Sequence, residues 1–185
     1  LKLVTTFPEA SVFATGYTIK QSGGHERPAL VRGLPKSFSE GIFDDYFTVA
    51  AQSDPPLWTS AVAVRKEAIQ AVNGFPVGIY AGEDLLTWAR LAVRYKIAYA
   101  VEPKAVFWQP LNPSERPGRV PAVPDVVGTG LRDLLDNADM THSAGIKNYI
   151  ALWHTMRAAI YIQLRDGKSA RTELQRAFHL NSLNI

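Results

Sequence analysis

The pattern of hydrophobic and polar positions changes along the chain. In the first two-thirds, short runs rich in β-branched and aromatic residues predict strands at residues 11–17, 58–64, 97–101 and 105–109. Apolar positions spaced by three and four predict helices between them, at 43–51, 66–72 and 83–95. The last third has only the helical period, which predicts helices at 146–164 and 169–180. We therefore expect a mixed α/β part followed by a helical hairpin.

Turn residues refine these boundaries. Asn73-Gly74 is a helix stop, since glycine adopts the left-handed conformation without strain. Asp44-Asp45 is interpreted as the cap of the following helix. Residues 110–130 contain five prolines and three glycines, so no regular element is expected there. The predicted division is a first part at 1–130 and a helical extension at 131–185.

Composition excludes several classes of protein. An apolar content of 46% with 20% charged residues is typical of a globular chain, not a disordered one. The 20 Lys and Arg against 17 Asp and Glu form no basic patch interleaved with aromatics, which argues against nucleic acid as a partner. The lack of cysteine excludes disulfides and thiolate metal sites. No apolar run reaches the roughly 18–20 residues that cross a bilayer.

Histidines and the helical tail have ordinary explanations. The four histidines lack metal-ligand spacing, so each is expected on the surface or in packing. The helix at 146–164 has a wide apolar face on which Arg157 is the exception. This face fits packing against the first part, a partner, or a peripheral membrane contact. The mixed charge of the polar face makes the membrane contact the least favoured.

One segment carries candidate chemistry. A helix ends at Gly74-Phe75, a short loop follows, and Glu83-Asp84 opens a helix with a buried stripe that includes Trp88. Acidic residues are common in a first helical turn because they suit the helix dipole and the free amides. Spacing alone therefore favours a structural role for the acidic pair. Trp88 is expected in the core.

The order of these motifs resembles the second half of the family 2 glycosyltransferases. The resemblance covers residues 1–112 and includes TSAVAVRK at 59–66, NGF at 73–75, GEDLLTWARL at 82–91 and the two strands after them. It implies the acceptor-side part of a GT-A (Rossmann-like) α/β domain. The implied reaction is transfer of a hexose from a nucleotide sugar with inversion. Its cofactor is Mg²⁺ or Mn²⁺, and its acceptor is a sugar, lipid or protein hydroxyl.

The resemblance also assigns residues to roles. Asp84 would be the general base, and Glu83 would shape the acceptor pocket. Trp108 and Gln109 would contact substrate, although the family often has a histidine where this chain has Gln109. Arg116 and Arg119 would neutralise the diphosphate, or else belong to a proline-stiffened linker; both interpretations stay open.

The donor side of that family is not found in the sequence. No apolar strand followed by Asp-x-Asp is present, and the chain begins at Leu1. We therefore expect the nucleotide- and metal-binding half upstream of Leu1, a chain that is inactive alone, and self-association through an uncovered sheet edge. The parent protein is expected in the cytoplasm, either free or at the inner face of the membrane. The alternative is a non-catalytic binding module derived from the transferase fold.

Overall fold

The computed structural model describes residues 2–21, 23–109 and 120–181, and over these it is a mixed α/β protein. Its strands are β1 (Ala10–Gln21), β2 (Glu26–Pro28), β3 (Glu40–Ile42), β4 (Val62–Val64) and β5 (Lys96–Gln109). Its helices are α1 (Lys2–Thr6), α2 (Tyr46–Ala51), α3 (Lys66–Ala71), α4 (Glu83–Ala92), α5 (Val126–Asp136), α6 (Met140–Gln163) and α7 (Gly167–Asn181). No helix in these ranges is both long enough and apolar enough to cross a membrane.

The sheet is built around β1, the longest buried strand. Strand β5 pairs with β1 in parallel, while β2 and β4 pair with it antiparallel, and β3 extends the sheet beyond β5. Val12 and Ala14 face the main core under the helices, whereas Phe13 faces a smaller cluster that includes Leu3 of α1. Both faces of β1 are therefore covered, as its nearly continuous apolar sequence predicts.

Three of the predicted strands were wrong in detail. Residues 58–64 hold a 3₁₀ turn at Thr59–Ala61, and only Val62–Val64 pairs with β1. The two strands predicted at 97–101 and 105–109 are one strand, β5, whose register with β1 shifts on both sides of Gly16. A side chain at Gly16 would collide with the carbonyl oxygen of Val101, so glycine permits this close approach of the two backbones.

The helix predictions were confirmed in kind and corrected at their ends. Asp45 caps α2 through the amides of Phe47 and Thr48, at 3.0 and 3.2 Å, so the helix begins at Tyr46 and not at residue 43. Helix α6 begins at Met140, six positions before the predicted start, because Asp139 caps it. Trp88 lies in the core, as predicted.

Helix α5 corrects the expectation of an irregular 110–130 segment. Asp125 caps it by accepting a hydrogen bond from the Gly128 amide at 2.9 Å, and Val127 and Leu131 are buried. The prolines precede this helix and leave its interior free, so their density did not exclude it. The helix crosses residue 130, where the sequence predicted the division of the chain. Residues 110–119 lie outside the described parts.

The helical part shares the main core with the sheet. Helix α6 packs on α2, α5 and α7, and α6 and α7 form the predicted hairpin. Ile146 and Ile150 of α6 belong to the same buried cluster as Val12 of β1 and Leu91 of α4. This packing brings α5 and α6 against the start of α4.

Candidate functional site

The acidic pair lies at the start of α4, where the sequence predicted it. Gly82 precedes the helix in the left-handed conformation with φ of 79°, and its carbonyl oxygen accepts the first helical hydrogen bond from Leu86 at 3.0 Å. Gly82 has no side chain to cap the helix, while the Asp84 carboxylate accepts from the Leu85 amide at 2.8 Å. The first turn of a helix is a favourable place for carboxylates because its free amides attract negative charge.

Two buried tyrosines lie near Asp84. The hydroxyls of Tyr46 and Tyr149 are 3.4 Å apart, and the Tyr149 hydroxyl donates to the Leu85 carbonyl oxygen at 3.4 Å. Burial raises the pKa of both phenols well above the ordinary value, and the nearby Asp84 charge raises it further. Both phenols therefore stay neutral at physiological pH and can act as hydrogen-bond donors.

Glu83 has an unsatisfied oxygen. Its Oε2 atom is buried and has no hydrogen-bond partner among the residues that the structure describes. A buried carboxylate oxygen without a donor costs free energy, on the order of 1–3 kcal/mol or more. A hydroxyl or amide from another molecule would remove this cost.

The other predicted substrate contacts form a separate group. Trp108 and Gln109 lie at the carboxyl end of β5, beside the carboxyl end of the parallel strand β1. The Trp108 side chain is 62% exposed, with the Lys20 ammonium 5.1 Å from its ring. Gln109 accepts a hydrogen bond from Gln21 at 3.4 Å. The contacts of this group are with β1, not with the acidic pair. Arg116 and Arg119 lie outside the described residues.

A second polar group joins α5, α6 and α7. We call Asp125, His154, Arg157 and Glu173 the ionic cluster. Glu173 accepts from His154 Nδ1 at 2.6 Å and from Arg157 Nε at 3.2 Å, and Arg157 Nε lies 3.5 Å from Asp125. All four side chains are largely buried, and they line an open cleft of about 680 Å³.

The ionic cluster was missed by sequence reasoning. Asp125 caps α5, His154 and Arg157 lie three positions apart on α6, and Glu173 lies on α7, so no single local motif connects all four. The one signal was Arg157, which interrupts the apolar face of α6. A buried guanidinium needs carboxylate partners, and Asp125 and Glu173 supply them.

The ionic cluster has the ligand types of a metal site, but its carboxylates are already neutralised by arginines. Asp125, His154 and Glu173 each place one ligand atom within 4.8 Å of the others. However, Arg157 lies against both carboxylates, and Arg176 donates a further hydrogen bond to Glu173 at 3.2 Å. Two guanidinium groups thus neutralise two carboxylates. The arrangement does not fit the Mg²⁺ or Mn²⁺ that a nucleotide-sugar enzyme uses, because that ion would have to displace Arg157.

The chain was compared with protein-family models, curated proteins and solved structures. No protein-family model matches the chain. No match was found among curated proteins or among solved structures.

Proposed function

We propose that this chain supplies the acceptor side of an inverting family 2 glycosyltransferase with a GT-A fold, and that Asp84 is its general base. The observation that carries the proposal is the Gly82-Glu83-Asp84 start of α4. There an acidic pair is fixed at the first turn of a helix, and one Glu83 oxygen is buried without a partner. The mixed sheet and the helices around it are compatible with the α/β class to which that fold belongs.

The proposed chemistry is a single displacement. The acceptor oxygen forms a bond to the anomeric carbon of the donor sugar as the bond from that carbon to the diphosphate oxygen breaks. The acceptor proton passes to the Asp84 carboxylate, because a neutral hydroxyl is a weak nucleophile. Glu83 shapes the acceptor pocket, and an acceptor hydroxyl that reached its buried Oε2 atom would give that atom the partner it lacks among the described residues. The neutral phenols of Tyr46 and Tyr149 lie near the Asp84 carboxylate.

The donor half of the site belongs, in this proposal, to residues other than those described. The divalent cation would assist departure of the diphosphate, and no described group fits it. Trp108 and Gln109 would contact substrate at the carboxyl ends of β1 and β5, the place where open α/β sheets commonly bind ligands. Use of a nucleotide sugar would place the protein in the cytoplasm, at the membrane if the acceptor is a lipid.

The test is sugar transfer by the complete gene product. A panel of labelled nucleotide sugars is offered with Mn²⁺ and candidate acceptors, and Asp84→Asn is compared with wild type. We expect a loss of about 10²–10⁴-fold in turnover, the usual contribution of a general base. Asp133→Asn is the matched control, since Asp133 is an exposed carboxylate on α5. Wild-type turnover in Asp84→Asn would refute the role of Asp84.

A second readout separates the two function classes. If the product forms, NMR of its anomeric proton reports whether the configuration is inverted. Acceptor binding that depends on Glu83 without any transfer would instead favour the non-catalytic binding module. If the protein shows no transfer and no acceptor binding, both function classes are refuted.

A further inference from the structure

Trp153 of α6 lies between the ionic cluster and the acidic pair. A Cβ atom built on Gly82 would lie 2.6 Å from both Cη2 and Cζ3 of the Trp153 indole. Real Cβ atoms essentially never come this close to another side chain. The far edge of the indole is thus packed directly against the α-carbon that precedes Glu83.

The backbone at Gly82 sets the direction in which α4 begins. Its left-handed conformation turns the loop into the helix, and its carbonyl oxygen starts the helical hydrogen bonds at Leu86. Glycine is needed here because a left-handed φ strains other residues, and because the indole leaves no room for a side chain. A change at Gly82 therefore moves Glu83 and Asp84 together.

The opposite edge of the Trp153 indole is fixed by hydrogen bonds. Its Nε1 donates to both carboxylate oxygens of Asp125, at 3.2 and 3.1 Å, and the residue is almost fully buried. Arg157 lies 5.8 Å from the ring centre and 3.5 Å from the Asp125 carboxylate, and Glu173 holds Arg157 in turn. The indole thus has one fixed edge at Asp125 and presses the other on Gly82.

We infer that Trp153, oriented by Asp125, is a positioning residue for the acidic pair: it fixes the conformation of Gly82 and so aims Asp84. The inference rests on the proposed function for the role of Asp84 as the general base, but the contact between Trp153 and Gly82 can be tested without an activity assay. It also gives the ionic cluster a role in the site, since the cluster fixes Asp125.

The first experiment is a mutant cycle between Gly82 and Trp153, measured by urea unfolding. Gly78→Ala is the matched control for Gly82→Ala, because Gly78 has the same φ of 79° but no atom within 4 Å of a built Cβ. Gly82→Ala should destabilise more than Gly78→Ala. Trp153→Phe, whose smaller ring makes room, should recover part of that difference in the double variant. Strictly additive effects of Gly82→Ala and Trp153→Phe would overturn the inference.

The second experiment tests Asp125. Asn is also a favourable helix cap, so Asp125→Asn keeps the start of α5 while it removes the charge that holds the indole. In ¹⁵N NMR spectra, the Trp153 indole signal is identified by its loss in Trp153→Phe, among the four tryptophans. Asp125→Asn should shift this signal and speed hydrogen exchange of the Leu86 amide by about tenfold. Asp133→Asn, which removes one carboxylate from the same helix, should do neither.

The activity readout distinguishes this inference from the proposed function. In the transfer assay, Asp125→Asn and Trp153→Phe should lower kcat with little change in the KM for the nucleotide sugar, since they misplace the base without touching the donor. If the cycle and the NMR effects appear but wild type transfers no sugar, the contact stands and the proposed function falls. If Asp125→Asn leaves the Leu86 amide unchanged, the inference falls whatever the activity.

Discussion

Replacing Glu173 by Gln should destabilise the fold severely. The Glu173 side chain is 4% exposed and its carboxylate has three partners, Arg157, Arg176 and His154, at 3.2, 3.2 and 2.6 Å. Glutamine keeps the shape and removes the charge. Arg157 would then retain one carboxylate partner, Asp125 at 3.5 Å, for a guanidinium that is almost fully buried. Breaking a buried pair from one side costs about 3–5 kcal/mol, because it leaves a charge uncompensated.

The measurement is the free energy of unfolding in urea, followed by circular dichroism. The control is Lys2→Met, which breaks the Lys2–Glu40 pair; at 2.8 Å this pair is closer than Arg157–Glu173, but the Lys2 side chain is 75% exposed. An exposed pair contributes about 0–1 kcal/mol. The larger loss expected for Glu173→Gln therefore follows from burial and not from a shorter distance.

The comparison has a clear negative outcome. A domain has about 5–15 kcal/mol of stability, so the Glu173→Gln loss should be plain in the urea midpoint. A value within about 1 kcal/mol of Lys2→Met would show that Arg157 does not depend on Glu173. The account of the ionic cluster would then be refuted. A double variant, Arg157→Met with Glu173→Leu, should cost less than the sum of its single changes, because it removes both charges.

Four further predictions concern pH, binding and self-association. Because burial raises the pKa of Tyr46 and Tyr149, their contribution to stability is complete below the ordinary value of 10.0 and is lost as pH rises above it; unfolding midpoints should fall there, and less steeply in Tyr149→Phe. Although burial opposes it, hydrogen bonds from Arg27 and the Leu30 amide lower the pKa of Asp54, so its contribution is present above the ordinary value of 3.8 and is lost as pH falls through the lowered value. Asp54→Asn should therefore flatten the stability profile in acid, and an unchanged profile would contradict this. Calorimetry of residues 1–185 with UDP-sugars and Mn²⁺ should give no saturable heat, and micromolar binding would mean that the donor site is misplaced. In the same samples, light scattering should show self-association, while a stable monomer would count against an uncovered sheet edge.

Local signals predicted the parts of the fold that local physics controls. The helix cap at Asp45, the period of α4 and the α6–α7 hairpin follow from neighbouring residues, and the structure has all three. Helix α5 was missed because the prolines before it outweighed a short apolar period that begins only at Val127. The 3₁₀ turn at Thr59–Ala61 was missed because its residues also suit a strand.

Of the candidate site, only the position of the acidic pair could be predicted from the sequence. The position of Glu83 and Asp84 at a helix start follows from the sequence of α4 itself. The phenol pair of Tyr46 and Tyr149 joins residues 103 positions apart, and no spacing rule reaches that far. The contact between Trp153 and Gly82 depends in the same way on how α6 packs across α4. Apolar periodicity places Trp153 in a core but does not say which backbone it touches.

The pairing of β1 with β5 also has a consequence for how the chain folds. Strand β1 pairs with β5, which is the last strand in the chain. This central pairing therefore forms only when the long segment between the two strands has been brought into a loop. The hairpin of α6 and α7 needs only its own turn and can form early. Folding rates fall as contacts become less local, so sheet closure should be the slow step. Until β5 pairs with it, β1 exposes apolar side chains on both faces. Aggregation with other unfolded chains is then the main reaction that competes with folding.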